Sequence, residues 1–134
     1  MNEQSASRHP AARHGIDEAK VRAAIAEAER NTSGKIEVVL APSYAGEIEH
    51  AAQRAFRARF GKSHQRNGIL FFVAPDQRKF VVWGDVGTHE KVGQTFWDRI
   101  VAAVRERFTS GDLTGGLIHG VREAGEALRG HFPK

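Results

Sequence analysis

Apolar residues fall at two different spacings along this chain, and the spacing changes at marked breaks. Val21, Ala24, Ile25 and Ala28 recur every three or four residues, the signature of one buried stripe on a helix. They predict a helix over 17–30, with Asp17 as its N-cap and Ile16 packed on Val21 across that cap. Asn31-Thr32-Ser33-Gly34 ends it, since Asn31 or Gly34 can take positive φ. The period then drops to two. Ile36, Val38 and Leu40 alternate with Lys35, Glu37, Val39 and Ala41 until Pro42, which predicts a strand over 35–41. Ile48, Ala52, Ala55 and Phe56 restore helical spacing over 47–60, and Gly61 is the natural stop.

Ile69 to Ala74 is apolar at every position and predicts a central strand covered on both faces. Pro75-Asp76-Gln77-Arg78 reads as a tight turn, and 79–83 returns as the second arm of an antiparallel hairpin. Val92, Phe96, Ile100, Val104 and Phe108, four apart, predict a helix over 89–108 whose stripe Trp97 and Val101 widen. Thr109-Ser110-Gly111 breaks it. Asp112 is the expected N-cap of a last helix reaching about 128 through Leu117, Val121 and Leu128. Each of Gly115, Gly116, Gly120 and Gly125 costs that helix about 1 kcal/mol against alanine, which points to close approach of its backbone to the sheet or to the preceding helix. Residues 1–15 show no period and read as a flexible tail, with His9 and His14 as solvated linker; 16–134 read as one domain.

The element order α-β-α-β-β-α-α predicts an α/β fold, a three-layer α/β/α sandwich around a small mixed sheet. A right-handed crossover through 47–60 makes the first two strands parallel. This topology sorts the loops to two ends. Residues 42–43, 76–78 and 111–112 share one end, the top, while 31–34, 63–68 and 84–90 share the bottom.

Composition narrows the function classes. The chain has 134 residues, enough for one domain, and no cysteine, which excludes disulfides, a thiol nucleophile and cysteine-ligated metal. Its longest apolar run, 69–74, is far short of the roughly 20 residues that span a bilayer. The opening Met-Asn-Glu-Gln-Ser-Ala-Ser-Arg lacks a signal-peptide core, so the expectation is a cytoplasmic chain without a transmembrane segment. Net charge is +4. Arg54, Arg57, Arg59, Lys62 and Arg66 form a run of cations without a carboxylate among them. Helical spacing spreads the first three around a cylinder and no strand offers a pair of stacking aromatics, so the run reads as a solvated face and no specific nucleic acid is expected.

Two constellations carry candidate chemistry. At the top, Asp76 and Asp112 are the metal candidates, for Ca2+ or Mg2+, held weakly because two carboxylates fall short of the six to eight oxygens calcium takes. Their ordinary uses are as turn former and helix cap. At the bottom, Asp85, His89 and Glu90, with Arg66, Asn67 and His64 nearby, form the one cluster of acid, imidazole and amide groups suited to acid–base work. The structural reading has Asp85 initiating a turn and Thr88 capping the following helix, with His89 and Glu90 in its first turn. Ser33, Ser43, Ser63 and Ser110 sit in turns without a Gly-x-Ser-x-Gly elbow, and 111–116 lacks the ending of a phosphate loop. No organic cofactor is expected.

Three blocks resemble the TPM domain family: Thr32-Ser33-Gly34-Lys35-Ile36-Glu37-Val38-Val39; Arg66-Asn67-Gly68-Ile69-Leu70-Phe71-Phe72-Val73-Ala74 with Asp76-Gln77-Arg78-Lys79; and Phe108-Thr109-Ser110-Gly111-Asp112 with Gly115-Gly116-Leu117. In order and spacing they cover about residues 17–128. The resemblance implies an α/β/α sandwich, in a family that includes acid phosphatases of the photosynthetic membrane, calcium-binding domains and domains without known activity. The chain departs from the pattern where relatives carry a Gly-Tyr-Gly-Leu-Glu-like segment and it has Gly84-Asp85-Val86-Gly87-Thr88-His89-Glu90. Its hairpin turn has Gln77 where relatives often place a second acid. Two functions follow as expectations. One is a binding or interaction module with weak divalent-cation affinity, no efficient catalysis, and a protein partner such as a membrane-anchored relative. The other, by family analogy, is a low-efficiency acid phosphatase.

Overall fold

The computed structural model describes residues 12–13, 15–61 and 66–134. Strands β1 (Ala12–Arg13) and β2 (Ile16–Asp17) form a short antiparallel ladder that leads into helix α1 (Glu18–Ala28). Strand β3 (Lys35–Leu40), helix α2 (Ile48–Phe60) and strand β4 (Gly68–Ala74) follow. A single 3-10 turn, Pro75–Gln77, leads to strand β5 (Lys79–Gly84), then to helices α3 (Val86–Thr109) and α4 (Leu113–His131). The main sheet has the order β3-β4-β5, with β3 parallel and β5 antiparallel to β4, so the expected topology is the observed one.

Every residue of β4 is buried, and the two faces of the strand serve two separate cores. Ile69, Phe71 and Val73 point to the face where α1, α3 and α4 contribute Val21, Ile100, Val104 and Leu117. Leu70 and Phe72 point to the other face, which α2 covers with Ala52, Phe56 and Phe60. Asp17 caps α1 as expected, its carboxylate accepting from the Lys20 N–H at 3.2 Å, and Ile16 is fully buried in the same core as Val21. Helix α1 lies mainly against α4. At their contact a Cβ on Gly125 would come within 2.6 Å of the Ala28 Cβ, so glycine sets the distance between the two backbones.

Several elements differ from the sequence reading. Ala12–Arg13 already pair with Ile16–Asp17, ahead of the expected end of the tail at 15, while His9, His14 and 1–11 lie outside the described residues. Helix α3 starts at Val86 rather than His89, because Asp85 caps it; Gly84 and Gly87 give that stretch the look of a loop. The same helix breaks at Gly93, whose φ of 77° and ψ of 171° no helical residue adopts, and the four-residue stripe runs across the break. Helix α4 continues to His131, past the expected 128. There Thr32 Oγ1 donates to the Phe132 carbonyl, and Thr32 bridges to Pro133, fastening the end of the helix to the loop after α1. Among the described residues no helix is long and apolar enough to cross a membrane.

Phe71 is fully buried, between the sheet and Gly120 of α4, whose backbone leaves room for the ring. Phe71→Ala is expected to lower unfolding free energy by about 3–5 kcal/mol in urea denaturation, whereas Val86→Ala, at an exposed site, leaves the midpoint unchanged.

Candidate functional site

The top end collects the loops that the topology assigns to it. Phe80, next to the hairpin turn, stacks edge-on against Phe108 at a centroid distance of 5.0 Å, so the exit of α3 lies beside the hairpin. Asp112 is the N-cap of α4, with Oδ1 accepting from the Gly115 N–H at 2.9 Å. Asp76 is exposed on the 3-10 turn, where Arg78 closes the turn in the left-handed region at φ 55°. Among the described residues no three His, Asp or Glu side chains gather as a metal-binding group. Two exposed carboxylates with loop carbonyls and water suit a hard cation held weakly. Sequence reasoning missed a cleft of about 470 Å³ at this end, lined by Tyr44, Glu47, Glu49, Arg78, Lys79 and Arg105. Its walls come from α2, the hairpin and α3, so no single stretch of sequence marks it.

At the bottom the structure brings Asp85 and Arg66 together and gives Asn67 and His89 partners elsewhere. Asp85 is 3% exposed. Its Oδ1 accepts from its neighbour's Val86 N–H at 2.7 Å and from Arg66 Nε at 3.1 Å, so one oxygen both caps α3 and holds the arginine. Oδ2 has no hydrogen-bond partner and is out of reach of solvent. Arg66 adopts φ 56°, and its carbonyl accepts from the Thr88 N–H at 3.1 Å, which ties the loop before β4 to the first turn of α3. Thr88 is therefore not the cap. It is fully buried inside the helix and its hydroxyl faces the Gly68 carbonyl at 3.4 Å.

The other members are similarly placed. Asn67 is buried and donates from Nδ2 to Ser33 Oγ at 3.1 Å, joining the loop after α1 to the loop before β4. Trp97 Nε1 donates to His89 Nδ1 at 2.9 Å. A neutral His89 consequently carries its proton on Nε2. Gly84 makes that contact possible, since a Cβ there would run into the Trp97 ring. Glu90 is exposed in the early turns of α3, and His64 lies outside the described residues. Of the cationic run, Arg54 donates to the Ala45 carbonyl, Arg59 pairs with Glu37 at 3.4 Å and Arg66 is held by Asp85, while Lys62 lies outside the described residues. The tryptophan eight residues on from His89 is the partner that sequence reasoning did not foresee; both lie on one helix, yet the Gly93 break makes helical spacing a poor guide across it.

Asp85→Ala removes the cap of α3 and is expected to cost about 1–2 kcal/mol in urea denaturation. Asp85→Asn keeps a cap oxygen and retains most of that stability. An unchanged midpoint in the alanine variant would show that the cap is idle.

A family model, the TPM domain, matches residues 14–127. Among solved structures, the chain is similar to the BA42 protein of the psychrophilic bacterium Bizionia argentinensis, with 34% identity and a TM-score of 0.79 over 91% of this chain and 83% of that one. It is also similar to the N-terminal domain of a P. gingivalis protein, with 21% identity and a TM-score of 0.71 over 90% of this chain and 81% of that one. The N-terminal domain of the cg2496 protein of Corynebacterium glutamicum shares 20% identity at a TM-score of 0.65, over 82% and 70% of the two chains. The last two likenesses concern the fold alone. No curated protein matches the chain.

Proposed function

The chain belongs to the TPM domain family, and from that premise we propose that it is a binding module without efficient catalysis, working with a protein partner in the cytoplasm. The observation that supports this reading is the engagement of the bottom cluster. An acid–base pair needs groups free to exchange protons with a substrate. Here the carboxylate of Asp85 caps a helix and holds Arg66, the amide of Asn67 is joined to Ser33, and Nδ1 of His89 receives the indole N–H. Asp85 Oδ2 is left over but shielded from solvent, and the exposed carboxylate of Glu90 has no partner among the described residues to position it. That leftover oxygen beside a guanidinium is what the alternative reading, a low-efficiency phosphatase, draws on.

The top end adds a weak divalent-cation site in this reading. Asp76 and Asp112 supply the charge, and carbonyls of the two loops with water complete the shell. Removing one acid from so sparse a set takes away half its charge.

Purified protein is expected to hydrolyse a generic aryl phosphate at rates near background, with or without divalent metal. Turnover at about 1 s⁻¹, the low side of ordinary enzymes, together with its loss in Asp85→Asn and His89→Ala, would replace the binding reading with the phosphatase. Calcium titration followed by amide shifts is expected to move 75–78 and 110–113, saturating with Kd of about 10⁻⁴–10⁻³ M. Asp76→Asn should weaken that affinity at least several-fold. Shifts confined to 85–90 would assign the metal to the other end.

A further inference from the structure

The strand β3 stands at the edge of the sheet, and the direction of its free hydrogen-bonding groups follows from one bond. Ala41 N–H donates to the Val73 carbonyl at 2.8 Å, and the register pairs Leu40 with Val73. In a parallel ladder alternate residues face the neighbouring strand. Lys35, Glu37 and Val39 therefore bond to β4, while Ile36, Val38 and Leu40 turn their N–H and C=O groups outward. Of these, the Ile36 N–H is satisfied by the Glu29 carboxylate at 2.7 Å. The N–H and C=O groups of Val38 and Leu40 and the carbonyl of Ile36 have no hydrogen-bond partner among the described residues and form a row of main-chain donors and acceptors. Proteins commonly blunt such an edge with charge, a bulge or a covering element. Here the strand carries two charges, Lys35 at its start and Glu37, which is paired with Arg59, and none beyond them over Val38 to Leu40.

The side chains beside this row have the same incompleteness. Helix α1 lies against α4 and leaves a cleft of about 160 Å³ between itself and β3, lined by Ile16, Val21, Ile25, Val38 and Leu40 together with the ion pair of Glu18 and Arg22. Ile25, Val38 and Leu40 pack on the core yet are only half-buried. A second cleft, of about 650 Å³, continues along the strand past Glu29, Lys35, Glu37 and Arg59. Its charges are mostly compensated: Glu37 pairs with Arg59, and Glu29 takes the Ile36 N–H. Lys35 is exposed and has no ion-pair partner among the described residues.

We propose that the open edge of β3 takes up an extended segment of a partner protein as a fourth strand, with apolar residues of that segment entering the cleft beside α1 and an acidic residue meeting Lys35. The segment would alternate. Residues on the α1 side complete the burial of Ile25, Val38 and Leu40, and those on the α2 side face the Glu37–Arg59 pair and the lysine. Main-chain bonds then supply affinity and the alternate pockets supply selectivity. The charge at the edge argues against a second copy of this chain as the occupant. An antiparallel β3–β3 pair centred on Val38 sets Lys35 opposite Ala41, where no carboxylate meets it, and a pair centred on Ile36, which sets Lys35 opposite Glu37, needs the Ile36 N–H that Glu29 already holds. The proposal rests on the binding-module reading, and aryl phosphate turnover on the same sample reads that premise separately.

The test uses the full chain, isotope-labelled, and a blocked heptapeptide of alternating valine and glutamate or threonine as the probe. Saturable amide shifts are expected at 36–40 and along 21–29. A twin peptide, N-methylated at the amides that would face β3, should produce none of them. Lys35→Glu, at an exposed position, should weaken the glutamate peptide about two- to five-fold, and Ile25→Lys, at the mouth of the cleft, should abolish binding with the fold retained. Equal binding of the methylated twin, shifts elsewhere, or no shifts with either peptide would overturn the proposal. So would shifts of 36–40 that grow with protein concentration alone, since they would give the edge to a second copy.

Discussion

Seven consecutive buried residues in β4 have to be roofed on both faces at once, and most of the molecule follows from that demand. Odd residues build one core with three helices, and even residues build a second core with α2. Because β4 also gives its hydrogen bonds to both sides, it fixes β3 as one edge and β5 as the other. The same arrangement sends the loops to two ends. The layers leave exposed the loop clusters at those ends and the edges of the sheet.

The two ends differ in what their polar groups are for. At the bottom, the charged and amide side chains join three segments: Asp85 with Arg66, Asn67 with Ser33, and His89 with Trp97. Their role is to hold the start of α3 against the loops entering β3 and β4. At the top the carboxylates are exposed, and that of Asp112 caps its own helix at Gly115. A weak cation site is compatible with such groups, whereas acid–base chemistry needs positioned ones. The open row along β3 is a set of main-chain groups without a partner among the described residues, and it lies next to half-buried apolar side chains.

Much of this fold was legible in the chain, for identifiable reasons. The alternation of Ile36, Val38 and Leu40, the unbroken apolar run at 69–74 and the stripe from Val92 to Phe108 each have one period and one physical meaning. The misses come from residues with two uses. Asp85 between glycines reads as a turn until the helix it caps is seen, and Gly93 sits in a stripe that continues past it. The candidate site was legible as a neighbourhood and not as a set of bonds. Order of elements brings Asp85, Arg66, Asn67 and His89 to one end, but which oxygen meets which donor depends on the positive φ at Arg66 and on Gly84 yielding to Trp97. The cleft beside β3 was invisible for a similar reason. It exists because α1 is drawn toward α4 through Gly125 and Ala28, a contact between segments far apart in the chain.

Amide hydrogen exchange along β3 in the free chain tests most directly the claim that the layers leave this edge open. The Glu37 and Val39 amides, bonded to β4, should be protected nearly to the global unfolding free energy. Val38 and Leu40, one residue away in each case, should exchange orders of magnitude faster, with Ile36 between them because Glu29 holds its N–H. Such a period-two pattern can arise only if one side of the strand is paired and the other is not. Uniform protection from Lys35 to Leu40 would mean that the edge is already covered, and the account given for this surface would be wrong.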